Sequence, residues 1–84
     1  MRLTVLYLAR LREALGRGTE QVELPGSSTV DGLIRLLRER GGAWGTELAA
    51  GRAVRVAVNQ DMAGPDVPLS DGDEVALFPP VTGG

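Results

Sequence analysis

The sequence closes Ala76-Leu-Phe-Pro-Pro-Val-Thr-Gly-Gly84, and with Gly84 as the terminal residue its α-carboxylate is the group best placed for group-transfer chemistry. The 84 residues include no cysteine, no histidine and no lysine. A thiolate nucleophile or metal ligand, an imidazole general base and a Schiff-base amine are therefore all excluded. An α-carboxylate, with a model-peptide pKa of about 3.5, is an anion at neutral pH and resists nucleophiles. It becomes reactive once a partner activates it, for example as a mixed anhydride with a nucleotide phosphate, and that requires the tail to enter the partner's site.

The residue types before Gly84 suit such an entry. From Pro80 onward, four extended residues span about 13 Å, enough to thread a narrow channel while a globular body stays outside. Gly83 and Gly84 carry no Cβ to meet the channel walls and permit backbone conformations closed to other residues. Pro79 and Pro80 have a fixed φ and no N–H, so they end a strand and project Val81 and Thr82 away from it. The alternative is a frayed end on an interaction module, because glycine is common in disordered termini.

The elements that must position this tail are readable from periodicity. Leu3 to Leu8 is an apolar run of strand formers, and Val22 and Leu24 alternate with Gln21 and Glu23 as in a half-buried strand. Ala9 to Leu15 predicts a short helix or turn, ended by Gly16 and Gly18, and the whole reads as a loose hairpin. Val30, Leu33, Ile34 and Leu37 fall at helical spacing within a helix from Thr29 to Arg40, with Ser28 and Asp31 as its capping box. Gly41-Gly42 ends it, and Ala43 to Gly51 reads as an irregular segment or single helical turn around Trp44. Val54, Val56 and Val58 predict a strand with its valines on one face, Asn59 to Gly64 a turn, and Pro65 to Leu69 a short extended piece. Ser70-Asp-Gly-Asp73 is a turn signal and Glu74 to Phe78 the last strand. One helix on one face of a mixed sheet of four to five strands is an α+β architecture that fits a β-grasp roll.

Eighty-four residues make one domain, which buries about 60% of its unfolded surface. The formal charge of -2, from 9 basic and 11 acidic residues, is too balanced for non-specific nucleic-acid binding. No apolar run approaches the roughly 18 residues of a membrane span, and MRLTVLYLAR lacks a signal-peptide pattern, so a soluble cytoplasmic protein without membrane or nucleic-acid partners is expected.

Val58-Asn59-Gln60 and the stretch from Pro68 to Gly84, above all Phe-Pro-Pro-Val-Thr-Gly-Gly, resemble the small, sulfur-carrying subunit of molybdopterin synthase. The resemblance covers the whole chain. It implies a ubiquitin-like β-grasp domain over residues 1–80 and a flexible tail over 81–84. It also implies that an ATP-dependent activating enzyme adenylates Gly84 and that a sulfur donor converts the acyl adenylate to a thiocarboxylate. The tail then inserts into the large catalytic subunit, where two sulfurs pass in successive steps to cyclic pyranopterin monophosphate. No cofactor is bound stably, ATP being used by the activating enzyme, and the chain is not catalytic alone. Related Gly-Gly carriers serve thiamin, cysteine or tRNA thiolation, and others modify proteins; these remain alternatives.

Partner contacts are expected from Gly83, Thr82, Val81, Pro80 and Pro79. Phe78 joins them, since it shares with Ala76 the strand face opposite Val75 and Leu77; its other reading is a small second core. Met62, in the turn, is read either as an adaptable contact or as a cap on the core. Arg55, on the outward face of its strand, suits an acidic partner. Trp44 is expected to cover the edge of the core, and Asp71, Asp73 and Glu74 to serve turn geometry rather than a metal.

Overall fold

The computed structural model describes residues 1–80. Strand β1 (Arg2–Tyr7) turns Leu3, Val5 and Tyr7 inward, each fully buried. Helix α1 (Arg10–Leu15) buries Leu11 and stops at Gly16, whose φ of 76° is the left-handed conformation that glycine adopts without strain. Strand β2 (Thr19–Glu23) returns antiparallel to β1, with Val22 opposite Leu3. The expected hairpin is present.

A two-residue strand β3 (Ser28–Thr29) leads into α2 (Val30–Arg38), which buries Val30, Leu33 and Leu37 along one stripe. The cap differs from the expected capping box. Because the helix starts at Val30, the N-cap is Thr29, whose Oγ1 accepts from the Gly32 amide at 3.2 Å. Asp31 is thus one residue too early to reach back, and it pairs instead with Arg35 at 2.9 Å, one turn on. Helix α3 (Gly42–Glu47) follows and holds Trp44.

Strand β4 (Arg55–Val58) buries Val56, while Val54 and Val58 pack partly buried against the core. The turn expected over 59–64 is shorter than that. Asn59 and Gln60 both take positive φ, 50° and 73°, and strand β5 (Asp61–Met62) then pairs back on β4. Two left-handed residues match the twist of an antiparallel hairpin, so pairing resumes at once. Strand β6 (Pro68–Leu69) pairs with β3 in a separate two-stranded sheet, and β7 (Glu74–Phe78) completes the chain's regular structure.

The main sheet runs β2-β1-β7-β4-β5, with β1 and β7 parallel and the other pairs antiparallel. Its inner face meets α2 in one cluster that includes Leu3, Val5, Leu33, Leu37, Val75 and Leu77.

A polar knot closes the core where α2 ends. Tyr7 is wholly buried, so its hydroxyl needs a partner, and it donates to Glu20 at 2.6 Å. Arg40 donates twice to the same carboxylate, at 2.8 and 3.0 Å, and Arg17 once at 3.2 Å. The Arg40 guanidinium also lies 4.4 Å from the centre of the Trp44 ring, which meets Tyr7 edge-on at 5.2 Å. Trp44 covers the core edge as expected. Burial alone raises the Glu20 pKa, but the hydrogen bonds from Arg40 and Tyr7 outweigh it and hold the carboxyl below its ordinary value. Burial, then the bond to Glu20, push the Tyr7 phenol far upward.

Replacing Glu20 by Ala is expected to lower unfolding free energy by about 2–3 kcal/mol at neutral pH, since it orphans Tyr7 and Arg40. A depressed carboxyl stabilises above its unfolded pKa of 4.5, so the gap between parent and variant should narrow as pH falls from there through the folded value. Urea titrations at a series of pH values check both; a gap that is independent of pH would contradict the assignment.

Candidate functional site

The tail is rooted at the centre of the sheet. β7 is flanked by β1, with Val5 opposite Val75 and Tyr7 opposite Leu77, and by β4, with Val56 opposite Leu77 and Arg55 opposite Phe78. Val75 and Leu77 are fully buried, which locks the strand's rotation. The start of β7 is held by Asn59: its Oδ1 accepts from the Glu74 amide at 3.0 Å, and its Nδ2 donates to Asp73 at 2.9 Å. Asp73 also accepts from the Ser70 amide at 2.8 Å, and Asp71 from the Arg2 amide at 2.7 Å. Both aspartates thus shape the turn. Pro79 and Pro80 follow Phe78, half-buried and outside the ladder, at the point where a missing N–H ends pairing.

The sheet face turned away from α2 carries the predicted contact residues. Directly opposed residues share a face, so the registers align Leu6 on β1, Ala76 on β7, Ala57 on β4 and Met62 on β5 in one row. Phe78 and Arg55 form the next row, and the Leu8 amide extends the ladder by donating to the Leu77 carbonyl at 3.0 Å. Leu8 is 42% and Met62 61% exposed, while Leu6 and Phe78 are half-buried. Phe78 therefore belongs to an open apolar band, not to a second closed core. Met62 sits on edge strand β5 rather than in a turn, and there it extends the band outward. An open cleft of about 570 Å³ borders it, lined by Val54, Arg55, Val56, Met62, Ala63 and Pro80.

Leu6, Leu8 and Ala57 were not singled out from sequence. The available signal was the unbroken apolar run of β1: a strand with one wet face alternates, whereas Leu6 and Leu8 interrupt that pattern. Gly84, Gly83, Thr82 and Val81 lie outside the described residues. Among the described residues the site is an open apolar face of the sheet beside the central strand that ends in Pro79 and Pro80.

The profile of the ThiS family matches residues 5–84. The molybdopterin synthase sulfur carrier subunit of Escherichia coli is 40% identical, over 98% of this chain and 99% of its own length. A Pyrococcus furiosus protein assigned as subunit 1 of a molybdopterin converting factor superposes with a TM-score of 0.82 at 31% identity, over 96% of this chain and 99% of its own. Small archaeal modifier protein 1 of Haloferax volcanii superposes with a TM-score of 0.80 at 27% identity, over 95% and 98%. The fold is the ubiquitin-like β-grasp, as expected.

The division of β7 between a core face and an open face predicts unequal costs of substitution. Leu77→Ala should lower unfolding free energy by about 2–5 kcal/mol through the cavity it leaves. Met62→Ser should change it by about 0.5 kcal/mol or less. Parallel urea titrations would reveal it if the two costs were alike, and Met62 would then belong to the core.

Proposed function

The chain belongs to the ThiS family, and on that premise we propose that it is the sulfur carrier subunit of a molybdopterin synthase, with Gly84 as the residue that carries the sulfur. The observation that supports this most is end-to-end likeness to the Escherichia coli sulfur carrier subunit, at 40% identity with neither chain leaving a sizeable overhang. The rigid root of the tail agrees with it.

In this reading an activating enzyme binds the carrier and ATP together. A carboxylate oxygen of Gly84 attacks the α-phosphorus, pyrophosphate leaves, and hydrosulfide released by a sulfur donor attacks the acyl carbon and expels AMP. The product is a thiocarboxylate, ionised at neutral pH and more nucleophilic at its soft sulfur than at oxygen. The tail then enters the large subunit, where sulfur is transferred to cyclic pyranopterin monophosphate and the Gly84 carbonyl recovers an oxygen from water. Two such transfers complete the dithiolene. The carrier holds no cofactor of its own, and ATP belongs to the activating enzyme.

The chain's own residues contribute position. Burial of Val75 and Leu77 holds the last strand, Pro79 and Pro80 direct the exit, and the band of Leu6, Ala57, Met62 and Phe78 docks on the large subunit. Arg55, beside Phe78, makes no ion pair among the described residues and is available to a carboxylate of the partner. No helix among the described residues is long and apolar enough to cross a membrane, and use of ATP suits a cytoplasmic setting.

A second reading is favoured by the likeness to small archaeal modifier protein 1: the activated Gly84 would be joined to a lysine of another protein. One experiment addresses both. Incubation with ATP, a sulfide source and the activating enzyme should raise the intact mass by the difference between sulfur and oxygen. Tandem fragments must place the change on Gly84, because oxidation of Met1 or Met62 mimics it. An unmodified terminus beside a carrier that is converted under the same conditions would overturn the proposal. Conjugates forming in place of the thiocarboxylate would favour the modifier.

Deleting Gly83 and Gly84 should abolish sulfur transfer while the melt and docking persist. Phe78→Ala should weaken docking on the large subunit by about tenfold, the loss of one interface anchor, with little change in the thermal melt. Calorimetric titration checks this, and unchanged affinity would remove Phe78 from the interface.

A further inference from the structure

The formal charge of -2 conceals a strong separation of charge. Parallel pairing of β1 with β7 sets Tyr7 opposite Leu77, so α1 begins beside the point where the tail leaves. Antiparallel pairing of β4 brings Arg55 to the same end, and α2 runs toward it, with Arg38 donating to the Leu48 carbonyl at 2.8 Å and Arg40 to Glu20. Arg10, Arg12, Arg17, Arg38, Arg40, Arg52 and Arg55, 7 of the 9 basic residues, lie on or beside the elements at this end, with Glu20 and Glu47 paired among them. The opposite half holds the turn carrying Asp71 and Asp73, together with Glu74, Asp61 and Asp66.

The glutamates at the tail-exit end are already taken up. Glu20 is paired with Arg17 and Arg40, and Glu47 with Arg10 at 2.9 Å and Arg52 at 3.2 Å. Arg12 and Arg55 make no ion pair among the described residues, and each lines an open cleft, on the β1 and β4 sides of β7 respectively. Arg12 lies against Gly18, and Arg55 shares its cleft with Pro80.

We propose that this arginine-rich end is an electrostatic docking collar: it steers the molecule tail first onto a protein partner whose channel entrance is lined with carboxylates, while the acidic opposite end is repelled. Charge complementarity identifies that partner chemistry. A tail ending in an anion is itself repelled by an acidic entrance, and a positive collar around its root offsets the repulsion over the last Debye length, about 8 Å at physiological salt. Arginine suits the position for a second reason. It stays protonated and is not acylated, so the collar supplies positive charge to the partner's entrance without adding an amine to the chain.

The inference rests on the carrier reading, with the large subunit as partner. Stopped-flow association of the full chain with the large subunit should show an on-rate that falls about tenfold between low and high salt, with the off-rate nearly constant. Joint Arg12→Gln and Arg55→Gln should lower the low-salt on-rate severalfold, and the difference should vanish at high salt. Neutralising Asp66 by Asn at the far end should leave the on-rate the same or raise it. Binding with a salt-insensitive on-rate would overturn the collar and leave the carrier reading standing. No binding at any salt, together with an unmodified Gly84 after activation, would overturn both. If the double variant fails to fold, the salt dependence of the parent still decides.

Discussion

The parallel pairing of β1 with β7 is the constraint on which the molecule depends. It joins residues 4–7 to residues 74–77, so closing it orders nearly the whole chain. Loop-closure entropy opposes such a contact until hydrophobic burial compensates, and here Val5, Tyr7, Val75 and Leu77 are all removed from water by it. The strand from which the tail leaves is therefore held by neighbours on both sides. An edge strand in its place would let the root of the tail fray.

That central placement divides the sheet's labour. One face is filled by α2 and the core; the other is left open with an apolar band running from β1 to β5. Closure of the core at the end of α2 relies on the single carboxylate of Glu20, which joins β2 to Tyr7 of β1 and to Arg40 beyond α2. With Asn59 fastening the opposite end of β7, the strand is held at both ends.

The surface chemistry follows the same separation. A chain without cysteine, histidine or lysine has no side-chain thiol, imidazole or amine, and the positive charge of its side chains is carried entirely by arginine. Those arginines gather where the tail departs, a grouping that comes from three elements ending at the same side of the sheet.

Several of these features were legible in the sequence alone. The stripe of Val30, Leu33 and Leu37, the last strand from Glu74 to Phe78, the glycine stop after α1 and the chemical silence of the chain all follow from residue identity or from periods within one element. The motif from Phe78 to Gly84 identifies the family by residue type alone. Tertiary structure decided the rest: that β7 lies between β1 and β4, that Met62 joins Leu6 and Ala57 in one row, that Thr29 rather than Ser28 caps the helix, and that Glu20 unites Tyr7 with Arg40. The physical reason is the range of the interactions. Side-chain period and turn preference act over a few residues and leave a trace in composition. Strand register is set by backbone hydrogen bonds, which every residue type but proline makes alike, between segments that only the folded core brings together.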